Sequence, residues 1–558
     1  MNRTALALLV LLMASCTPLS KETPPSATPD LLLIHGGITW VGPDQKPTPD
    51  SAIVVRKGRI EFVGTLAEAE TRAPGARKLD ATGMTVLPGL VDSHAHVDGL
   101  GKMLAVVDLK GTASAEEAAA RVAEAAKSLP AGAWIEGRGW DQNDWPGMQY
   151  PTAAILDRVA GEHRVYLRRI DGHAGWANSA AMQAAGIDKS TKDPSGGRIL
   201  RDDAGNPTGV VIDNAEDLVM GKIPSPPRDL RKARLRKALE NIAANGITGV
   251  HEAGSDAPEE VISLYRELIG EGAMPVRVYY MLPDGDPKLE SWLSAGPLID
   301  FGDKLTVRAV KIYADGALGS RGAALLAPYD DEPSAKGLLV TQPERIEEIA
   351  KKAADAGFQA GTHAIGDRGV AIVLDAYEKA GVKPEDRFRI EHYQVATLSD
   401  IERLGKDGVI AAMQPTHATS DMPWAEERLG NERLKGAYAW RKVLDAGGRL
   451  ALGSDFPIED VNPFYGIYSA VTRQDHDGHP PGGWTPSEKL TLAEAVRGFT
   501  VESALAAFEE ETRGTIEAGK WADFTIVDGD LANAPVAEIW KTKVRYTVVN
   551  GEVVYKGK

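Results

Sequence analysis

Short alternations of apolar and polar residues occupy both ends of the chain, and longer amphipathic repeats lie between them. From Leu31 the runs LLLIHGGITWV, SAIVVRKGRIEFVG and RKLDATGMTVLPG contain the turn pairs Gly36-Gly37, Lys57-Gly58 and Thr82-Gly83, a pattern that predicts strands with tight connections. The last fifty residues repeat the texture: Gly519-Lys520 precedes ADFTIVDGD, and Asn550-Gly551 joins KVRYTVV to EVVYKG as a hairpin. Neither end could bury its apolar face alone. The economical arrangement is one composite β-sandwich built from 31–88 and 510–558.

Between the ends lie eight β-like segments: GLVDSHAH (89–96), GITGVHEAG (246–254), MPVRVYYML (274–282), LTVRAVKIYADG (305–316), GFQAGTHAIGD (357–367), RFRIEHYQV (387–395), GVIAAMQPTH (408–417) and GGRLALGSDFP (447–457). Helical repeats such as ERIEEIAKKAADAG separate several of them. Eight strands alternating with helices predict an α/β chain, a (β/α)₈ TIM-type barrel over 89–509, with its chemistry at the C-terminal strand ends. The stretch 99–245 far exceeds an ordinary βα connection. It is expected to be an inserted subdomain or lid between barrel strands 1 and 2, carrying WIEGRGWDQNDWP and RRIDGHAGWANS.

The N-terminus follows a different pattern. Arg3 precedes a ten-residue apolar stretch, Ala5 to Ala14, and Ala14-Ser15 leads into Cys16, the chain's one cysteine. Such a stretch is a secretory h-region and too short to span a bilayer. It resembles a bacterial lipoprotein signal, in which the cysteine becomes the acylated first residue; Met13 stands where leucine is commonest, and a plain secretory signal with an incidental cysteine is the alternative. The expectation is a signal peptide over 1–15, a proline-rich tether over 16–30, and an exported protein anchored to the membrane through Cys16, at the periplasmic face of the outer membrane. Lipidation would leave the fold without a thiol, which removes disulfides and cysteine metal ligands.

Composition narrows the function. With 558 residues, 43% hydrophobic and 25% charged, the chain can bury a large core and is too apolar for disorder. A net charge of −16 without a long basic run excludes a phosphate-backbone binder. Of 11 histidines, six (His94, His96, His251, His363, His392 and His417) fall at the C-terminal ends of the β-like segments. His94 and His96 are two apart, so on a strand both face the same side and can reach one metal. His363 in THAIGD, His392 in IEH and Asp455 in GSD add imidazoles and a carboxylate at later strand ends, a donor set suited to a catalytic metal.

PGLVDSHAH, VKIYADGALGSR, THAIGDRG, RIEHYQ, QPTH and GSDFP, in that order, resemble the amidohydrolase superfamily. Within it the resemblance is to amidohydrolase family 3, the YtcJ-like and N-substituted formamide deformylase-like branch, and it covers nearly all of the mature chain. The resemblance implies one or two divalent ions, zinc with manganese or iron as alternatives. His94, His96 and Asp455 would hold the more buried ion and His363 and His392 the second. Lys311 would bridge them after carboxylation by carbon dioxide; the alternative is a structural lysine paired with Asp315 or another acid beside a single metal.

The activity so implied is hydrolysis of C–N bonds other than peptide bonds in a small amide or N-acyl substrate, by a metal-activated water with Asp455 as general base. A lactonase or esterase on the same site, or a lipid-anchored binding protein without turnover, are the alternatives. His173 and Trp176 could lie over the substrate from the insertion, Arg321 could bind an anionic or carbonyl group, and His417 could orient the substrate. His251 is expected behind the ligands, Trp140 and Trp145 in packing or an apolar pocket wall, and His476 and His479 in an exposed loop.

Overall fold

The computed structural model describes residues 31–557 apart from 36–37, 42–45, 50, 128, 171–172 and 195. The leader, Cys16 and the tether lie outside the described residues. Eight parallel strands form the centre: β1 (Leu90–Ala95), β2 (Ile247–Glu252), β3 (Arg277–Pro283), β4 (Leu305–Tyr313), β5 (Gln359–Ala364), β6 (Arg389–His392), β7 (Ile410–Met413) and β8 (Arg449–Leu452). Their spatial order follows the chain, as right-handed βα units require. The barrel is nearly closed. Beyond the ends of β1 and β8, Asp455 N donates to His94 O and His96 N to Phe456 O, each at 2.8 Å. The Asp92 carboxylate accepts from Ser454 N (3.1 Å) and Oγ (2.6 Å) across the same seam.

Most strands are shorter than the sequence pattern suggests, and His96, His417 and Asp455 are among the residues left outside them. His96 already stands at the N-cap of helix Val97–Ala105. Pro415, which has no N–H for a ladder, opens helix Pro415–Asp421, so His417 sits on a helix. Asp455 leaves β8 through a turn with φ 61°. Strand ends leave the ladder where their side chains must converge on a point.

Val250, Val278, Val307, Val310 and Ile390 are buried in the large core that the barrel shares with its helices. The interior, in contrast, holds His251, Gln359, Arg389 and Glu391, all without solvent exposure. Such groups are tolerated only when hydrogen-bonded to one another.

The long connection after β1 begins and ends as ordinary barrel structure. Helix Val97–Ala105 lies against helix Arg228–Ala244, and a Cβ at Gly101 would stand 2.8 Å from the Arg234 carbonyl oxygen. Between these helices a mixed six-stranded sheet spans 107–213. It has its own core, in which Trp140 stacks on Trp145 at 5.9 Å and meets the edge of Trp176 at 6.2 Å.

The two ends of the chain meet below the barrel. Met84–Pro88 pairs antiparallel with Phe524–Asp528 in a six-stranded sheet. A four-stranded sheet including Ser51–Arg56 and Arg77–Asp80 faces it through a core of Ile53, Val55, Leu79, Val86, Phe524 and Val548. Thr525 Oγ1 accepts from Leu90 N at 3.1 Å and donates to Gly246 O at 2.6 Å. These bonds fasten the sheets to the starts of β1 and β2, at the end of the barrel opposite the histidines.

Candidate metal centre

Register brings the site together. Lys311 on β4 pairs with Gly361, Tyr313 with His363, and Ala364 with His392, so the last residues of β4, β5 and β6 lie side by side. His392 has φ 72°, a left-handed conformation that an L side chain adopts at a cost. Lys311, Tyr313, His363 and His392, with His94, His96, His417 and Asp455, line a cavity of about 400 Å³ at the C-terminal mouth, whose other walls include Leu318, Trp424 and Ile458.

His94, His392 and Asp455, all buried, bring one donor atom each within 4.8 Å of one another. This triple joins members of the two groups that the resemblance implied for separate ions. His94 Nε2 stands 3.6 Å and His96 Nε2 3.2 Å from Asp455 Oδ1, and His417 Nε2 is 3.7 Å from Asp455 Oδ2. His363 packs against His392 at 4.5 Å between ring centroids, and its Nε2 lies 3.4 Å from Gly316 O.

The electrostatics follow from burial and a few neighbours. Burial, aided by Lys311, lowers His94 to about 4 and His363 to about 3, and His392 falls well below the ordinary imidazole range for the same reason, with His363 beside it. The three rings are therefore neutral, with lone pairs free to ligate. Burial works against ionisation of Asp455, but the imidazoles around it, His96 first and then His94 and His417, prevail and hold it at about 2. Burial brings Lys311 down to about 8.

Behind the cavity, Glu391 accepts from His94 Nδ1 and is gripped by Arg389, whose Nη2 donates at 2.9 Å. Arg389 Nη1 in turn donates to His251 Nδ1 at 2.8 Å. His392 Nδ1 is paired with Gln414 Oε1 at 2.9 Å. Partners of this kind fix the ring orientation and leave the opposite nitrogen for the site. Two observations fit the cradle to a divalent ion: the ring nitrogens converge, and Asp455 Oδ1 and His417 Nε2 are buried without a hydrogen-bond partner.

Lys311 is not paired with Asp315. That carboxylate accepts from Ala324 N (2.8 Å), Ile365 N (2.9 Å) and Gly366 N (2.8 Å) and is fully engaged in holding loops. Lys311 Nζ instead faces His94 Nε2 at 3.5 Å and the Tyr313 ring at 4.8 Å.

Three expected substrate contacts do not reach the cavity. Trp176 is fully buried in the core of the inserted sheet, its Nε1 donating to Thr152 O at 3.0 Å; its ring is worth more as packing than as a pocket wall. His173 is exposed, with Nδ1 3.0 Å from Asp213 Oδ1. Arg321 turns outward on a residue with φ 58° and binds Asp331, Nη2 to Oδ2 at 2.8 Å. His417 is the one of the four that lines the cavity.

The sequence reading missed Glu391, Gln414, Tyr313 and Glu459. Part of the signal was present: Arg389 and Glu391, like Lys311 and Tyr313, are two apart on a strand and so share a face. Gln414 and Glu459 carry no such mark.

A parallel barrel with imidazoles and a carboxylate at its C-terminal mouth defines the class. An uncharacterized metal-dependent hydrolase from Pyrococcus horikoshii OT3 is similar over 91% of this chain and 99% of its own, with a TM-score of 0.75 and 26% identity. Residues 77–555 match the amidohydrolase family, and the chain belongs to it. It is 35% identical over 532 residues to the YtcJ protein of Bacillus subtilis (strain 168), covering 94% of this chain and 99% of that one. It is 29% identical over 553 residues to the N-substituted formamide deformylase of Arthrobacter pascens, covering 94% and 98% respectively. The protein is thus a hydrolase of the amidohydrolase family.

Proposed function

We propose that the protein hydrolyses a C–N bond in a small amide or N-acyl compound, with Asp455 as general base. The observation that carries this is Asp455 itself: an anionic, buried carboxylate with one oxygen unpartnered, faced by His94, His96 and His417. The Arthrobacter relative, a formamide deformylase by name, supports the choice of bond.

His94, His96, His363, His392 and Asp455 would hold one or two divalent ions, with zinc favoured by the nitrogen-rich set. When bound, such ions lower the pKa of water towards about 7 and polarise a carbonyl. Asp455 takes the proton of the attacking water and returns it to the nitrogen as the C–N bond breaks, which balances the reaction as acid plus amine. His417, whose Nε2 has no other partner, is placed to donate to the carbonyl oxygen as negative charge develops there.

Lys311 supports a carbamate. It is 1% exposed and shifted to about 8, so a free amine is accessible at neutral pH. Its nitrogen adds to the carbon of carbon dioxide, one N–H proton is released, and the anionic product offers two oxygens to the site.

The test is metal analysis of the purified protein followed by turnover of N-formyl and N-acyl amines. Metal bound in whole-number amounts with amine released is expected. Full activity after metal stripping would end the mechanism.

Export and anchoring through Cys16 belong to the same proposal, supported by the apolar leader and the proline-rich tether. Acylation at more than one position gives firm attachment where a single chain gives marginal binding. Cys16→Ser should release the protein from the membrane fraction; wild type and variant fractionating alike would remove the anchor.

A further inference from the structure

A second cavity, of about 190 Å³, adjoins the catalytic one and shares a wall with it. Helix Pro415–Asp421 stands between them: His417 and Asp421 line the larger space, Thr416 and Thr419 the smaller. Glu459, four residues beyond Asp455, lines both.

The chemistry of the second chamber is one-sided. Glu459, Asp460 and Asp475 contribute carboxylates, and no lysine or arginine lines it. Asp460 and Asp475 are partly committed to their own turns, accepting from Asn462 N at 2.9 Å and from His479 N at 2.8 Å. Asp421, the neighbouring acid in the catalytic cavity, is already held by Gln394 Nε2 (2.9 Å) and Tyr438 Oη (2.7 Å). Glu459, whose carboxylate is hydrogen-bonded to Ser420, is the acid that both spaces share, and it pairs with no lysine or arginine among the described residues.

Two further features point to a ligand. Thr416 is 7% exposed, yet its Oγ1 is buried with no hydrogen-bond partner, and a hydroxyl in that state calls for an occupant. Tyr465 and His476 line another side, their rings meeting edge to face at 4.5 Å, and the face of an aromatic ring attracts a cation. Carboxylates, a hydroxyl acceptor and an aromatic face together suit a group that only donates, and an ammonium is such a group. The catalytic cavity also offers Leu318, Trp424 and Ile458, apolar surface that suits the hydrocarbon chain of such a substrate.

We propose that the second chamber is a subsite for an ammonium group on the substrate, so that the preferred substrates are N-acyl amines carrying a second, cationic amine bound beside Glu459. The substrate class rests on the hydrolase proposal for the acyl end; the subsite itself can be tested without turnover. Calorimetry on the metal-loaded protein would compare α,ω-diamines from propane to octane with the diols of matching length. The wild type should bind the best diamine about tenfold more tightly than its diol, the size of a charge-assisted hydrogen bond. Glu459→Gln should abolish that preference, and Thr416→Val should reduce it while keeping the side-chain shape. Equal binding of the two probes, no binding of any diamine, or a preference untouched by Glu459→Gln would overturn the subsite. Turnover of the mono-N-formyl derivatives and of N-formylhexylamine reports the other proposal separately. Hydrolysis without diamine preference removes the subsite alone, and diamine preference without hydrolysis of any N-formyl amine removes the hydrolase proposal alone.

Discussion

Glu391 accepts the Nδ1 proton of His94 while Arg389 holds the same carboxylate from the other side. Burial alone would raise this acid, but Arg389 and His94 hold it well below the ordinary carboxylate range. The result is a fixed tautomer: Nε2 of His94 is left as the acceptor facing Asp455 and Lys311. A hydrogen-bond chain running from His251 through Arg389 and Glu391 to His94 thus crosses the barrel and ends at the site.

Glu391→Gln tests that chain. The amide can still pack, but it offers either an acceptor to His94 or one to Arg389 with less charge. Metal affinity should fall about 10- to 100-fold, as for other partners of metal-bound histidines, read by competition with a chelator. The melting temperature should also fall, because Arg389 becomes an unpaired buried cation. Unchanged affinity would show that His94 needs no anionic partner.

Asp455→Asn keeps the shape and would remove the proposed base. The rate constant kcat should drop by roughly 10²–10⁴, the usual contribution of general acid–base catalysis, with any further loss coming from weaker metal binding. Steady-state kinetics at saturating metal separates the two. A variant as fast as wild type would take Asp455 out of the mechanism.

Lys311→Ala should lose activity and one bound ion per chain, measured by metal analysis. Short carboxylic acids should restore part of the rate by placing two oxygens where the proposed carbamate would stand. Carbon-13 bicarbonate should label the wild type and leave the variant unlabelled. Wild type with an unmodified lysine and full activity would refute the bridged site.

Away from the site, one ion pair sets a test of acid stability. Glu494 closes a capping box with Thr491 and pairs with Arg441, Oε1 to Nη1 at 2.9 Å. The Arg441 hydrogen bond is the main reason its carboxyl is lowered to about 2, against about 4.3 for an unfolded glutamate. A folded pKa below the unfolded one means that the pair stabilises the protein fully above the unfolded value and ceases to do so as pH falls through about 2. Glu494→Gln should therefore be less stable than wild type at neutral pH, with a gap in melting temperature that closes on acidification through this window. A gap independent of pH would assign the loss to the cap alone.

How much of this was legible beforehand differs by element. Apolar periodicity located all eight barrel strands, because each must be covered by a helix and so reads as an apolar run. The motifs around His94, His363, His392 and Asp455 marked the mouth, since the ends of parallel strands share one side of a barrel. Trp176 and His173 misled because residue type says what a side chain can do and nothing about where a long insertion turns. The inserted sheet buries the tryptophan in its own core and leaves the histidine in solvent.

What the sequence by itself determined is the alternation of elements and the residue types available at strand ends; both are local properties, written in periods of two and 3.6 residues. Only the tertiary structure decided which of those residues meet. Glu391 reaches His94 across 297 positions and Asp92 reaches Ser454 across 362, contacts that arise from barrel closure and register. The second chamber is likewise invisible in the chain: Thr416, Glu459 and Asp475 become one surface only when the helix after β7 packs beside the loop after β8. Local pattern fixes which strands form, whereas cavities and paired charges depend on long-range closure, which no short window of sequence contains.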